Sequence, residues 1–549
     1  MTEQTLQDQQ QHEGVNEYER TPVPPRAWLG FKSFIGMYAG EHCAGTELMI
    51  GPLFVAAGVS AFDVVVGLLV GNFLAVLSWM FLTAPIATRA RLTLYYQLEK
   101  ICGRKLVTTY NLANGVMFCF LAGSMITVSA TAVGVWFKFP MPALTDVYPN
   151  SAGWVLAVLG VGLLIAVVAA FGYKAVAKFA NIASPWMVLV FLVFGIVGFR
   201  DIVAASGKEI HSASDLWSFA ATELWKGGAP LPGQVKFTFL HVMFFSWFTN
   251  AAMHVGMSDL TVFRYAKKSW YAIASGAGMY VGHFMAWLAA SLLYAHQLRV
   301  TPGNTDVLPG PMAFKACGLA GLICVIIAGW TTANPTIYRA GLAFQAVVPK
   351  WPRFTVTLIT GLIATIAGMF PVIAMKLLGF VALYGLLLIP MGAVIFVDFW
   401  LMPRIGLKDR FAERTGISFN WAAGAAWIAT LAICLFLNFN KEALAGYVNP
   451  DMFQIYFLLL PAWFIAGLLY IASSILLQKA AGLAAGAAKV LAAVALMGTV
   501  APAVFYFTGE MTDKSLHAWL MGATVLWFVT AAFAMGAKAP AEPEQETPL

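Results

Sequence analysis

The chain has 549 residues, of which 60% are hydrophobic and only 11% charged, and its mean hydropathy is +0.76. Soluble domains carry about a quarter charged residues, so the composition excludes a soluble protein and specifies a polytopic membrane protein. The net charge of +7 requires no nucleic-acid partner, because basic loops on the cytoplasmic side of a bilayer produce such an excess.

Residues 1–26, rich in Gln and Glu and closing on Pro-Val-Pro-Pro-Arg, read as a disordered cytoplasmic tail. They lack the apolar core of a cleaved signal peptide. About fourteen apolar segments of spanning length follow. They begin near residues 28, 61, 106, 154, 176, 237, 270, 313, 354, 371, 418, 452, 483 and 514. A cytoplasmic N-terminus puts the basic stretches 89–105, 264–268 and 404–414 inside, and an even number of spans returns the C-terminal tail, 536–549, to the same side. The six cysteines (Cys43, Cys102, Cys119, Cys317, Cys324 and Cys434) fall within or beside spans, with no disulfide or metal-ligand spacing.

The first span is the most informative. It carries Glu41, His42 and Glu47 among apolar residues, together with Gly36, Gly40 and Gly45. An ionised group in hydrocarbon costs a few kcal/mol or more, and on a straight helix the two acids point about 120° apart. Unwinding between Gly40 and Gly45 would turn both toward a cavity and release main-chain groups to it, as in secondary transporters. The other reading makes the acids interhelical glue. The sixth span repeats the mixture: His254, then Gly256, then Asp259. Two interrupted spans five apart are the pattern of inverted repeats formed by spans 1–5 and 6–10.

In the eighth span Thr331, Asn334 and Tyr338 share one helical face, and Pro335 leaves the carbonyl of Thr331 without its helical donor. That carbonyl and the hydroxyls of Thr331 and Thr332 are either hard-oxygen ligands for a small cation or groups bonded back to their own helix. His241 and His283, alone among apolar neighbours, read as packing residues. Asn111 and Asn114 either line a cavity or bond between helices. Phe118, Phe120, Phe244, Phe245, Trp247 and Phe248 stack on a flat ring or pack against one another. Lys376 and Arg339 sit near span ends, where they are expected to snorkel. No HExxH, GxSxG or paired-Asp motif indicates an enzyme, and neither tail offers a signalling domain for a sensor.

Several segments together resemble the nucleobase–cation symporter-1 family of cytosine, purine, allantoin and hydantoin permeases. They are Gly67-Leu-Leu-Val-Gly-Asn-Phe73, Trp330-Thr-Thr-Ala-Asn334, Tyr338-Arg-Ala-Gly-Leu342 and Pro390-Met-Gly-Ala-Val-Ile-Phe-Val-Asp-Phe-Trp400, with Trp247, Thr249 and Phe263-Arg264-Tyr265 around the sixth span. The resemblance covers roughly residues 28–470. It implies an all-α, leucine-transporter-type core of two five-helix inverted repeats, extended by C-terminal helices. The expected boundaries are 27–403 for the core (27–200 and 236–403), 416–478 for spans 11 and 12, and 483–535 for two further spans.

The resemblance also implies import of a small heterocycle by sodium or proton symport, with the bilayer as surroundings and no cofactor beyond the coupling ion. A sodium ion would lie at Ala39, Gly40, Glu41, Thr331 and Thr332. The solute would meet Glu41, His42, Phe118, Phe120, Trp247, Asn250, His254 and Asn334. The departures are a missing span 3 tryptophan, Ala328 where some members carry asparagine, and the cluster Glu41, His42 and Glu47. Two carboxylates leave proton-coupled uptake of a cationic vitamin or amine as the alternative.

Overall fold

The computed structural model describes residues 18–444, 450–478, 484–507 and 511–536; most of the two expected tails lies outside them. Among the described residues nine helices are long and apolar enough to cross a bilayer. They are Ala61–Ala90 (span 2), Arg104–Phe137 (span 3), Ala152–Ala170 (span 4), Tyr173–Ser206 (span 5), Ser269–Val300 (span 7), Pro309–Val347 (span 8), Gly379–Leu401 (span 10), Trp421–Phe439 (span 11) and Ile455–Leu477 (span 12). Span 9 is the shorter Arg353–Gly368, and Ala484–Phe507 and Asp513–Gly536 are spans 13 and 14. This is a multi-pass membrane protein.

Spans 1 and 6 are broken near their middles, and span 8 is kinked near its start at Cys317 and Gly318. Span 1 consists of Lys32–His42 and Glu47–Ala56, parted at Cys43 (φ −89°, ψ 52°). Span 6 runs Phe239–Phe248, then Ala251–His254 and Leu260–Phe263, parted at Asn250 (φ −109°, ψ 27°) and at Met257, whose φ is +61°. Spans 2 and 7 each contain a π-helical stretch, Trp79–Thr83 and Ala277–Phe284, which widens the helix where it faces span 1 or 6.

The chain divides into two compact units, one of residues 1–97 and 108–388 and the other of residues 98–107 and 389–549. In the first, Lys32–His42 lies against span 5 and the π-helical stretch of span 7, while Glu47–Ala56 lies along the rest of span 7. The contact with span 7 depends on glycine. A Cβ on Gly282 would stand 2.6 Å from the His42 carbonyl oxygen, and one on Gly278 2.6 Å from its Nδ1. Caps mark the helix starts: Ser60 accepts from the amide of Asp63 and Ser151 from that of Trp154. In the second unit spans 11 and 12 pair, as do spans 13 and 14. There Asp398 accepts from the hydroxyl of Tyr470 (3.0 Å) and the amide of Arg410 (3.0 Å).

Residues 18–26, which composition places in the tail, are pinned in the first unit. Arg264 donates to the carbonyl of Tyr18 (2.7 Å), Thr93 to that of Glu19 (3.1 Å), and the amide of Val23 to Arg91 (3.1 Å). Composition reports side chains only; the main-chain carbonyls that every residue carries are what the buried guanidinium and hydroxyl donors hold here.

Candidate functional site

Arg339 of span 8 is fully buried, not snorkelling. Its Nη1 donates to Glu41 Oε1 (2.5 Å), and its Nη2 donates to Glu41 Oε2 (3.3 Å) and Asp259 Oδ1 (2.7 Å). The other oxygen of Asp259 accepts from the Tyr38 hydroxyl (2.5 Å) and from Trp79 Nε1 (2.7 Å). A buried charge survives only when paired and hydrogen-bonded. Two carboxylates delivered by the breaks in spans 1 and 6 do for Arg339 what water does for a snorkelling side chain. The ladder joins spans 1, 2, 6 and 8.

Beside it is a small cavity of about 50 Å³, lined by Glu41, His42, Thr46 and Glu47 of span 1, Thr249 and Asn250 of span 6, His283 of span 7, Thr332 and Thr336 of span 8, and Tyr384. Glu47 opens the second half of span 1. One of its oxygens accepts from Trp287 Nε1, and the other stands 3.7 Å from His283 Nε2. His283 stacks on Trp287 at 4.3 Å between ring centroids and meets His42 edge-on at 4.9 Å. It is therefore a cavity residue, not the isolated packing histidine that its sequence neighbours suggested, because the turn widened by π-helix brings it to the break in span 1. His42 donates through Nδ1 to the carbonyl of Tyr38 (2.8 Å), which leaves Nε2 as the bare nitrogen of the neutral ring. A larger vestibule of about 400 Å³, bounded by the loops of Leu144, Leu231 and Asp306, reaches the same region; Ile50 and Leu377 line both spaces.

At the cavity edge five oxygens converge. Thr331 Oγ1 lies 2.8 Å from the carbonyl oxygen of Gly40 and 3.1 Å from that of Ala328. Thr332 Oγ1 lies 2.9 Å from the carbonyl oxygen of Glu41 and 3.0 Å from that of Ala328. Each hydroxyl bonds back to its own helix, as one of the two sequence readings has it, and also reaches the break in span 1. The Sδ of Met187 stands 3.8 Å from Thr331 Oγ1, and the five neutral oxygens are donors of the kind a small hard cation takes.

Of the other residues singled out in the sequence, Glu41, His42 and Asn250 line the cavity, and Asn250 Nδ2 lies 3.3 Å from His283 Nε2. Phe118, Phe120, Trp247, His254 and Asn334 stand elsewhere. Phe118 meets Tyr384 edge-on at 4.9 Å, and the partly exposed Phe120 meets Phe380. Trp247 stacks on Phe248 and donates to Ser78 Oγ (3.0 Å). His254 packs its ring 4.5 Å from that of Trp79. Asn334, with its amide oriented to satisfy both ends, accepts from Trp330 Nε1 (2.9 Å) and donates to Ile165 (3.0 Å). Sequence reasoning did not assign Tyr38, Trp79, Asp259, His283, Trp287 or Arg339 to the site. Their partners lie up to 298 residues away along the chain, and no local spacing reports such pairings.

No known family profile and no curated protein sequence matches the chain. Solved structures do. One is MHP1, a transporter of the nucleobase–cation-symport-1 family, in a closed conformation with bromovinylhydantoin bound; it has 16% identity and a TM-score of 0.62, covering 85% of this chain and 96% of that one. Another is a Na+-coupled sialic acid symporter in a substrate-bound outward-open state, with 13% identity and a TM-score of 0.56 over 85% of this chain and 91% of that one. The fold is the leucine-transporter type. At these identities the likeness is one of architecture alone.

Proposed function

We propose that this chain is a secondary active transporter of the cell membrane, importing a small nitrogen-containing solute with a coupling cation by alternating access. Both termini lie in the cytoplasm in this reading. The observation that carries it is the convergence of Gly40, Glu41, Ala328, Thr331 and Thr332 oxygens at the edge of a polar cavity between broken helices. Gly40, Glu41, Thr331 and Thr332 would hold the coupling sodium ion. The two parts adjoin at Glu41 and Thr332, which belong to both, so ion and solute would each order the same break in span 1. A nucleobase, hydantoin or allantoin is the solute class by analogy with the hydantoin-bound neighbour.

Proteoliposomes containing the purified protein test the coupling. An inward sodium gradient is expected to drive concentrative uptake that choline does not support. Thr331→Ala with Thr332→Ala is expected to remove the sodium dependence while folded protein persists. Equal uptake in sodium and choline at fixed pH overturns the sodium site. A proton-coupled mode is the second reading, favoured by the ionisable lining of the cavity: Glu41, His42, Glu47, His283 and Tyr384. It predicts uptake driven by a pH gradient without sodium.

A further inference from the structure

With its acids ionised, the region around the cavity holds three carboxylates and one guanidinium. Arg339 is shared by Glu41 and Asp259, so one guanidinium serves two carboxylates. Glu47 is a third carboxylate, 3% exposed, and its nearest cationisable group is His283 at 3.7 Å. No lysine or arginine lines the cavity. A buried carboxylate with a single indole donor is short of the hydrogen bonds that a charged oxygen pair accepts.

The ring opposite shows what is missing. With the amide nitrogen of Asn250 donating to His283 Nε2, that nitrogen is an acceptor and the ring proton sits on Nδ1, which itself meets no partner. With Glu47 ionised, its Oε1 and His283 Nε2 face each other as two acceptors across 3.7 Å, whereas a protonated Glu47 would itself donate to Nε2. A group carrying two N–H donors and a positive charge would satisfy both acceptors and the missing charge together. The cavity, about 50 Å³, offers room for roughly three to five water-sized groups at about 10–15 Å³ each. That is the size of an amidinium or ammonium end, with the rest of a larger solute reaching past Ile50 and Leu377 into the vestibule.

We propose that Glu47, with His283 and Asn250, recognises the cationic N–H donor end of the solute, so that the transported class is a small organic cation such as an amidinium, guanidinium or ammonium compound. This rests on the transporter reading and puts an organic cation in place of the neutral heterocycle that the hydantoin-bound neighbour suggests. A neutral ring with mixed donors and acceptors would leave the Glu47 charge uncompensated.

Matched probes of equal shape and unequal charge provide the test: acetamidine against acetamide, and methylguanidine against methylurea, bound to the purified full-length protein at pH 7.5. The expected result is that each cation binds at least tenfold more tightly than its neutral partner, read by calorimetry and by thermal shift, and that Glu47→Gln abolishes the difference. Trp287→Phe, which keeps the carboxylate and removes one donor to it, guards against a Glu47→Gln protein that does not fold. It should retain the preference for the cations. Equal binding of charged and neutral probes by the wild-type protein overturns the assignment. So does Glu47→Gln binding that keeps its cation preference while uptake loses its pH dependence, which would make Glu47 a proton carrier. Cation-selective binding without uptake in proteoliposomes supports the site and removes the transporter reading. Uptake of neutral solutes without amidine binding does the reverse.

Discussion

The ladder from Glu41 through Arg339 to Asp259 can be tested as a thermodynamic cycle. Arg339 makes three charge-assisted bonds, of 2.5, 3.3 and 2.7 Å, to two buried carboxylates. Replacing it with Gln leaves both acids without a cation, and breaking a buried pair from one side costs about 3–5 kcal/mol. Glu41→Gln is milder, because it keeps an acceptor and Arg339 retains Asp259; loss of hydrogen bonds to a charged group is about 1.5–3 kcal/mol. In an Arg339→Gln background the same Glu41→Gln change removes an unpaired charge and should cost almost nothing. The cycle is therefore expected to show coupling of about 1.5–3 kcal/mol. Unfolding the four proteins with denaturant in mixed micelles, followed by tryptophan fluorescence, gives the required free energies. Additivity within about 0.5 kcal/mol, the ordinary result for independent sites, would refute the pairing and the inference that it holds the breaks together.

Gly282→Ala would place a methyl group 2.6 Å from the His42 carbonyl oxygen and 2.7 Å from its Cβ. Overpacking of this kind costs about 1–3 kcal/mol, so a lowered melting temperature and weakened probe binding are expected together. Replacing Ile50 and Leu377 with Ala should join the cavity to the vestibule, and a cysteine introduced at Thr46 should then react faster with a hydrophilic thiol reagent. In the loop between spans 5 and 6, Glu223 is held down from 4.5 to about 2 by Lys208 and Arg299, at 2.8 and 2.7 Å. A depressed carboxylate stabilises the fold above its unfolded value and loses that contribution as pH falls toward 2. Glu223→Gln should therefore flatten the decline in melting temperature between about pH 4.5 and 2, an effect that high salt should shrink.

Much of the architecture was legible because its signals are local. Gly40 and Gly45 beside Glu41 and Glu47 marked the break in span 1, and the spacing of His254, Gly256 and Asp259 marked that in span 6. The expectation that Thr331 and Thr332 serve a cation came from Pro335 and from the resemblance; the structure sets their hydroxyls against the carbonyl oxygens of Gly40 and Glu41. The aromatic residues were less informative. Phe118, Phe120 and Trp247 have large apolar faces that any neighbouring ring satisfies, so composition could not tell a platform from packing. Arg339 was misread because its position along the helix says nothing of the acids that two other helices deliver to it. His283 was misread because a π-helical turn displaces the face that regular periodicity assigns.

The nitrogen Nη2 of Arg339 touches both broken helices, 3.3 Å from the Glu41 carboxylate and 2.7 Å from that of Asp259. That nitrogen carries two N–H bonds, one available to each carboxylate, and Nη1 holds Glu41 as well. One flat, rigid guanidinium thus fastens the two interruptions to a third helix like a shared rivet, and parting either from it costs a charge-assisted bond.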